Sequence, residues 1–356
     1  MALLDDGVDL NQLTPYHGKT RDGTDKDIVK ALGMSCCDLG QNLTNWAISS
    51  RGHGTIMANM ILRINPWVEL YSMKIQDGED ALGRRTIFPG SAANAIQGAI
   101  DLEANIISMS WSIRNKSQPP VPVSVARTIS DSVVGELSTG MATLKIGGQR
   151  AMMKEESPMK ALETAVDHAT TQGMHMFCSA TDDIQNGAMD FLPYQRGLNH
   201  IFRIGAATAQ GERDPQAEDE KNTDYFFPGN QVADAVNPRS ERQVKYHDGS
   251  SVSTALATGL ASLIMYLARV MCAYYAHRED KAEVHRFEEW ADKLQLRNNM
   301  RQAFDNINHV DWPNKKFLPV WTVFEERSKE IIKCRSLDDK MNVLDDLVRD
   351  LCNKVR

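Results

Sequence analysis

The sequence predicts an α/β protein, a parallel sheet flanked by helices, with a helical extension at the C-terminus. Three observations predict it. Between residue 2 and about residue 275, short apolar runs alternate with amphipathic segments, the order that parallel strands with right-handed crossovers require. Beyond His277 charged residues dominate and apolar ones recur only at helical spacing. The length, 356 residues, allows roughly two domains or one large α/β domain with an appendage.

The elements follow in order. Ala2-Leu3-Leu4 is an apolar run entering the turn Asp5-Asp6-Gly7, a first strand. From about Leu10 to Asn45 the chain is polar and rich in Asp, Gly and Thr, read as loop with one short helix. His53 to Ile64 carries Ile56, Met57, Met60 and Ile61 at helical spacing, and Pro66 ends the helix. Val68 to Ile75 alternates like a strand, and Gln76 to Gly90 is an acidic, then basic loop. Ser91 to Ala104 is a second helix and Ile106 to Trp111 a further strand. Asn115 to Ser157 opens with Pro119, Pro120 and Pro122 and is weakly patterned, an insertion or long surface loop. Then come a helix over Met159 to Gln172, strands over Met174 to Ala180 and Ile201 to Ala207, an acidic loop, and a long apolar helix over Ser251 to Tyr275. The resulting division is residues 1–276 as one domain, with its insertion near 115–157, and residues 277–356 as the helical extension.

Composition narrows the function classes. Forty basic residues against 47 acidic ones give a net charge of −7, so nothing points to nucleic acid or to an anionic membrane as partner. The best candidate for a membrane span, Ala255 to Ala276, is interrupted by Arg269 and reads as a buried helix. Six cysteines include a vicinal Cys36–Cys37 pair and no C-x-x-C. Free thiols in a reducing compartment are the plain reading, which favours a soluble cytoplasmic protein.

Three short motifs carry chemistry. A carboxylate pair, Asp5-Asp6, ends the first strand, at the rim where α/β sheets form sites. Gly52-His53-Gly54-Thr55 opens an apolar helix, and so does Gly249-Ser250-Ser251-Val252-Ser253-Thr254-Ala255. Singly, each reads equally well as structure, the serines as helix caps. Together they supply a weak nucleophile, the histidine base it needs, and the carboxylate that fixes the histidine's tautomer. The chain order Asp, His, Ser is that of subtilisin, while α/β-hydrolases run Ser, Asp, His. The hydrolase elbow G-x-S-x-G is also broken, since position 253 is Ser.

On these residues the chain resembles the subtilisin-like serine protease (subtilase) family. Leu3 to Asp9 is similar to the family's D-[ST]-G or D-D-G motif, Gly52 to Thr55 to its H-G-T motif, and Gly249 to Ala255 to its G-T-S-M-A-[ST]-P motif. The resemblance covers roughly Leu3 to Leu267. It implies a subtilisin-like fold and a serine endopeptidase acting on a polypeptide substrate through an acyl-enzyme, with Asp5 as orienting carboxylate, His53 as general acid/base and Ser251 as nucleophile. Asp6 and Ser250 compete by position, and motif register favours Asp5 and Ser251. Ile107 to Ser112 resembles the strand edge that pairs with substrate backbone, which assigns substrate binding to Ser110, Trp111 and Ser112. Trp111 reads equally as a subsite wall or as core.

Departures from the family pattern matter as much. The oxyanion position, asparagine in the family, falls on Asp182, and an ionised carboxylate only accepts hydrogen bonds. A protonated Asp182 can donate; Asn186 and the backbone N–H of Ser251 are further donors. In the serine motif the usual Met, Ala and Pro are Val252, Ser253 and Ala255. Asp5 to His53 spans 48 positions and Ser110 to Asp182 spans 72, both long, and the second holds the insertion, which either covers the substrate cleft or is a solvated loop. The Asp motif begins almost at residue 1, so a larger parent chain is expected. These departures support an alternative, a catalytically weak or inactive interaction module of a larger intracellular protein. No cofactor is implied beyond calcium, which several subtilases hold: Asp77, Glu79 and Asp80 could bind it, but they lack the twelve-residue calcium pattern and read as a solvated turn. Gly18-Lys19-Thr20 lacks the glycine that a phosphate loop needs at position 13.

Overall fold

Strand β1 (Ala2–Asp5) lies inside a seven-stranded, all-parallel sheet and orders everything around it. The other strands are β2 (Lys30–Ser35), β3 (Glu69–Lys74), β4 (Ile106–Met109), β5 (His175–Ser179), β6 (Ile201–Ala207) and β7 (Tyr225–Pro228). Their spatial order is β7-β6-β5-β4-β1-β3-β2. The order runs one way from β4 to β7 and the other way from β1 to β2, so the carboxyl ends of β1 and β4 meet at a switch point, where α/β sheets open a crevice. The computed structural model describes residues 1–19, 25–37, 45–79, 85–114, 157–180, 191–193, 195, 200–215, 220–234, 244–307 and 314–355.

Every residue of β1 is buried, and alternation divides its side chains between two cores. Met1 and Leu3 join a cluster under helices α1 (His53–Ile64) and α4 (Ser250–His277). Ala2 and Leu4 join a cluster under α2 (Pro89–Asp101) and α3 (Pro158–Thr171), with Ile96 and Val166. Helix α4 is long and apolar enough to cross a membrane, but most of it is buried, with Val252, Leu260, Ile264 and Ala268 in the first core. None of the six cysteines is in a disulfide.

The parallel α/β architecture flanked by helices agrees with the sequence reading, and three pieces differ. The polar stretch read as loop contains β2, an edge strand whose Leu32 and Met34 side chains are exposed, so its alternation buries nothing that would announce it. Within the Gln76–Gly90 loop, Asp77–Glu79 pairs antiparallel with Arg85–Ile87 as a short hairpin. After the acidic loop, Tyr225–Pro228 forms β7 at the opposite edge. Of the 115–157 insertion, residues 115–156 lie outside the described residues; Ser157 caps α3 by accepting from the Lys160 N–H.

Helices α5 (Lys281–Lys293), α6 (Arg297–Asp305), α7 (Val320–Lys333) and α8 (Leu337–Leu351) follow α4. They share the first core: Phe287, Leu294, Phe304, Leu347 and Leu351 are buried in one cluster with Phe177 and Phe202 of the sheet. The expected boundary at residue 276 falls in the last turn of α4.

Candidate active site

Asp5 ends β1, and its side chain is 1% exposed. The carboxylate accepts from the Asp6 N–H at 2.8 Å, and both its oxygens lie 2.9 Å from His53 Nδ1. Burial alone would push this carboxyl up. The charges of His53 and Arg85 and the two N–H donors outweigh that and hold it well below the usual carboxylate range.

His53 is the first residue of α1, and two features fix it there. Gly52, the N-cap, has φ +82°, which an L side chain rarely adopts. Gly54 packs so closely on the β1 turn that a Cβ would stand 2.2 Å from the Gly7 carbonyl oxygen. The second carboxylate of the doublet serves this helix. Asp6 accepts from the Gly54 N–H at 2.7 Å, the Arg51 N–H at 2.6 Å and the Ser49 hydroxyl at 2.8 Å, satisfying orphan donors at the helix N-terminus. Asp5 therefore faces the imidazole, while Asp6 holds the helix that carries it.

Ser251 is the second residue of α4, half-buried, whereas Ser250 is fully buried. The Ser251 hydroxyl donates to the Ser110 carbonyl at 3.0 Å, and the Ser110 hydroxyl donates to the Ser251 carbonyl at 3.2 Å. The serine motif is thereby pinned beside the end of β4, but no hydrogen bond joins Ser251 to His53. Ser253, unusual in its motif, donates to the Phe227 and Pro228 carbonyls at 3.0 and 3.1 Å, so its buried hydroxyl is satisfied.

The strand-edge residues divide. Ser110, Trp111 and Ser112 connect β4 to the short strand Ile113–Arg114. The Trp111 side chain takes the core reading: it is buried, and its indole N–H donates to the Leu4 carbonyl at 2.7 Å. Asp182 and Asn186 lie outside the described residues. Asp77 and Glu79, weighed above for calcium, are paired with arginines: Arg51 reaches Asp77 at 3.1 Å and Glu79 at 2.8 Å, and Arg85 reaches Asp77 at 3.0 Å. Asp80 is outside the described residues.

The sequence reading missed Arg85. It stands on the Asp77–Glu79/Arg85–Ile87 hairpin, its side chain 20% exposed. One Nη donates to Asp5 at 2.8 Å, the other lies 3.0 Å from His53 Nδ1, and Nε donates to Asp77 at 3.0 Å. Burial works against the charge, but Asp5 and Asp77 more than compensate and raise its proton affinity. An acidic run facing a basic one across a short loop was the available signal, and it does not say which basic side chain turns inward.

Comparison with known proteins concerns the chain as a whole. The subtilase family profile matches residues 1–273. No curated protein matches the chain by sequence. Among solved structures, a prenylagaramide maturation protease, PagA, superimposes with a TM-score of 0.51 at 15% identity, covering 91% of this chain and 92% of its own. A lanthipeptide protease gives 0.52 at 14% identity, covering 90% and 85%. At these identities the likeness is one of fold.

Proposed function

The chain belongs to the subtilase family, and from that premise we propose that it is a serine endopeptidase in which Asp5, His53 and Ser251 act together. The observation that carries the reading is the buried Asp5 carboxylate held 2.9 Å from Nδ1 of a partly exposed histidine, with a half-buried serine at a helix start bonded to Ser110 just beyond the neighbouring strand β4. Asp5 accepts the Nδ1 proton and so leaves the Nε2 lone pair free as base. The Ser251 hydroxyl turns from the Ser110 carbonyl to His53 Nε2, gives up its proton and attacks the peptide carbonyl carbon. The imidazolium returns the proton to the leaving amine, and water then hydrolyses the acyl-enzyme by the same route.

The substrate enters as an extended strand along residues 110–112, where its own N–H replaces the Ser251 hydroxyl on the Ser110 carbonyl. Ser251 lies in the first turn of α4, whose N–H groups lack intrahelical acceptors and face a developing oxyanion favourably. Asp182 is the second donor by resemblance, in its protonated form.

A fluorophosphonate probe tests the reading. The chain should be labelled, and Ser251→Ala should abolish labelling with an unchanged circular dichroism spectrum. A folded wild-type chain that takes no label would instead be an inactive module.

A further inference from the structure

Around His53 Nδ1 there is one acceptor, one donor and room for one proton. Asp5 places two carboxylate oxygens at 2.9 Å, and Arg85 places an Nη at 3.0 Å. A guanidinium only donates. If Nδ1 carries the proton, it bonds Asp5 and the Arg85 N–H faces another N–H. If Nδ1 lacks the proton, it accepts from Arg85, the carboxylate faces a lone pair, and the imidazole proton sits on Nε2, where it blocks the base. The two contacts exclude each other, and Arg85 also donates to Asp5 Oδ1 at 2.8 Å, an oxygen that already accepts from the Asp6 N–H.

We propose that Arg85 is a positioning residue that restrains the base: it competes with His53 for Asp5 and opposes the imidazolium that forms when Ser251 gives up its proton. This rests on the proposed protease reading. When Nε2 takes the Ser251 proton, the ring carries one positive charge shared over both nitrogens, and a second positive charge stands 3.0 Å from one of them. Among the described residues, the other charged groups near His53 do not cancel this. Asp6, on the turn after β1, is turned to the Gly54 and Arg51 N–H groups. Arg51, on the loop before α1, is turned to Asp77 and Glu79. The first turn of α4 brings Ser251 and no charged side chain.

The hairpin supplies the means of release. Asp77 already holds Arg85 Nε at 3.0 Å and is shared with Arg51 at 3.1 Å. The guanidinium is thus suspended between an inner carboxylate, Asp5, and an outer one, Asp77. Movement outward frees Asp5 for His53 alone, and movement inward tightens the restraint.

The test measures fluorophosphonate labelling rate against pH, together with the NMR protonation midpoint of the His53 ring, in the wild type, Arg85→Gln, Arg85→Lys and Asp77→Asn. Arg85→Gln should raise the labelling plateau about tenfold and move both the acid limb and the NMR midpoint up by roughly one pH unit. Arg85→Lys keeps the charge and should leave the midpoint nearly unmoved. Asp77→Asn, which removes the outer anchor, should shift both readouts the opposite way from Arg85→Gln. A slower Arg85→Gln with an unmoved midpoint would overturn the proposal and leave Arg85 as a brace for the hairpin. Absence of labelling at every pH would reject the protease reading, while the NMR midpoints, which need no activity, still decide the role of Arg85.

Discussion

Two buried carboxylates stand at opposite ends of the same sheet, and they are used differently. Asp5 ends β1 and is shared by Arg85 and a partly exposed histidine. Asp224 precedes β7, at the amino ends of the strands, and is shared by three arginines. Arg203 Nε donates at 3.2 Å, Arg297 lies at 3.5 Å, and Arg301 completes the set. Arg297 and Arg301 also stack over Phe202 and Tyr225, at 4.6 and 5.7 Å from the ring centroids. Burial pushes the Asp224 carboxyl up, but the Arg203 N–H and the three positive charges win and lower it. Burial, reinforced by Asp305, drives the Tyr225 hydroxyl far above its ordinary range. Asp224 and Tyr225 are thus both held away from proton exchange near neutrality. The ingredients are alike, and under the proposed function what separates the two ends is a partly exposed imidazole that takes part with the Ser251 hydroxyl.

The largest expected effect would break this contrast at the reactive end. Asp5→Asn keeps the shape and removes the acceptor that fixes the His53 tautomer. Labelling of Ser251 should fall about 10⁴-fold with the secondary structure retained. A loss no greater than that of a variant at the other end of the sheet would mean that Asp5 is only structural.

The matching change at the architectural end should cost stability instead. Asp224→Asn removes the charge that three guanidinium groups share in the seam between the sheet and α6, a loss of about 3–5 kcal/mol. Urea denaturation reads it as a lower midpoint with an unchanged slope, while the labelling rate of the folded fraction stays the same. A slower rate at full stability would show that the seam communicates with the crevice.

The contrast also explains what the sequence could reveal. Asp5, His53 and Ser251 were legible because each sits where an element starts or stops, marked by Gly7, Gly52 and Gly249, all with positive φ. The helices α1, α3 and α4 were legible because each carries a continuous apolar stripe. Strand β2 was not, because Gly33 is pressed against the Ser72 carbonyl and the Trp46 ring while Leu32 and Met34 remain exposed. Arg85 was hidden in a three-residue strand, too short to show a period. The Asp224 seam joins positions 203, 224, 297 and 301, and no local pattern links residues so far apart. Trp111 stood open between two readings until its indole N–H was seen on the Leu4 carbonyl.

The smallest expected effect compares two histidines at the same two ends. His53 is partly exposed beside a carboxylate; His175, first residue of β5, is sealed under the C-terminal helices. His175 Nε2 donates to the Leu294 carbonyl at 2.6 Å, and Nδ1 has no partner among the described residues. Burial, reinforced by the Arg297 charge against the pull of that carbonyl, pushes its pKa down to about 4. The native protein therefore keeps His175 neutral at pH values where the unfolded chain, titrating near 6.5, has already bound a proton. Between those two values the unfolded state binds more protons, so stability falls as pH falls. The contribution is complete above about pH 6.5 and gone below about pH 4, roughly 3 kcal/mol across the window. Urea denaturation at pH 7 and pH 4.5 should show this loss in the wild type, and the difference should shrink markedly in His175→Gln. The readout is the change with pH rather than the absolute stability, because the glutamine also alters packing. Equal pH dependence in the two proteins would mean that acid acts elsewhere, and the seam would then be no more sensitive to protons than the rest of the core.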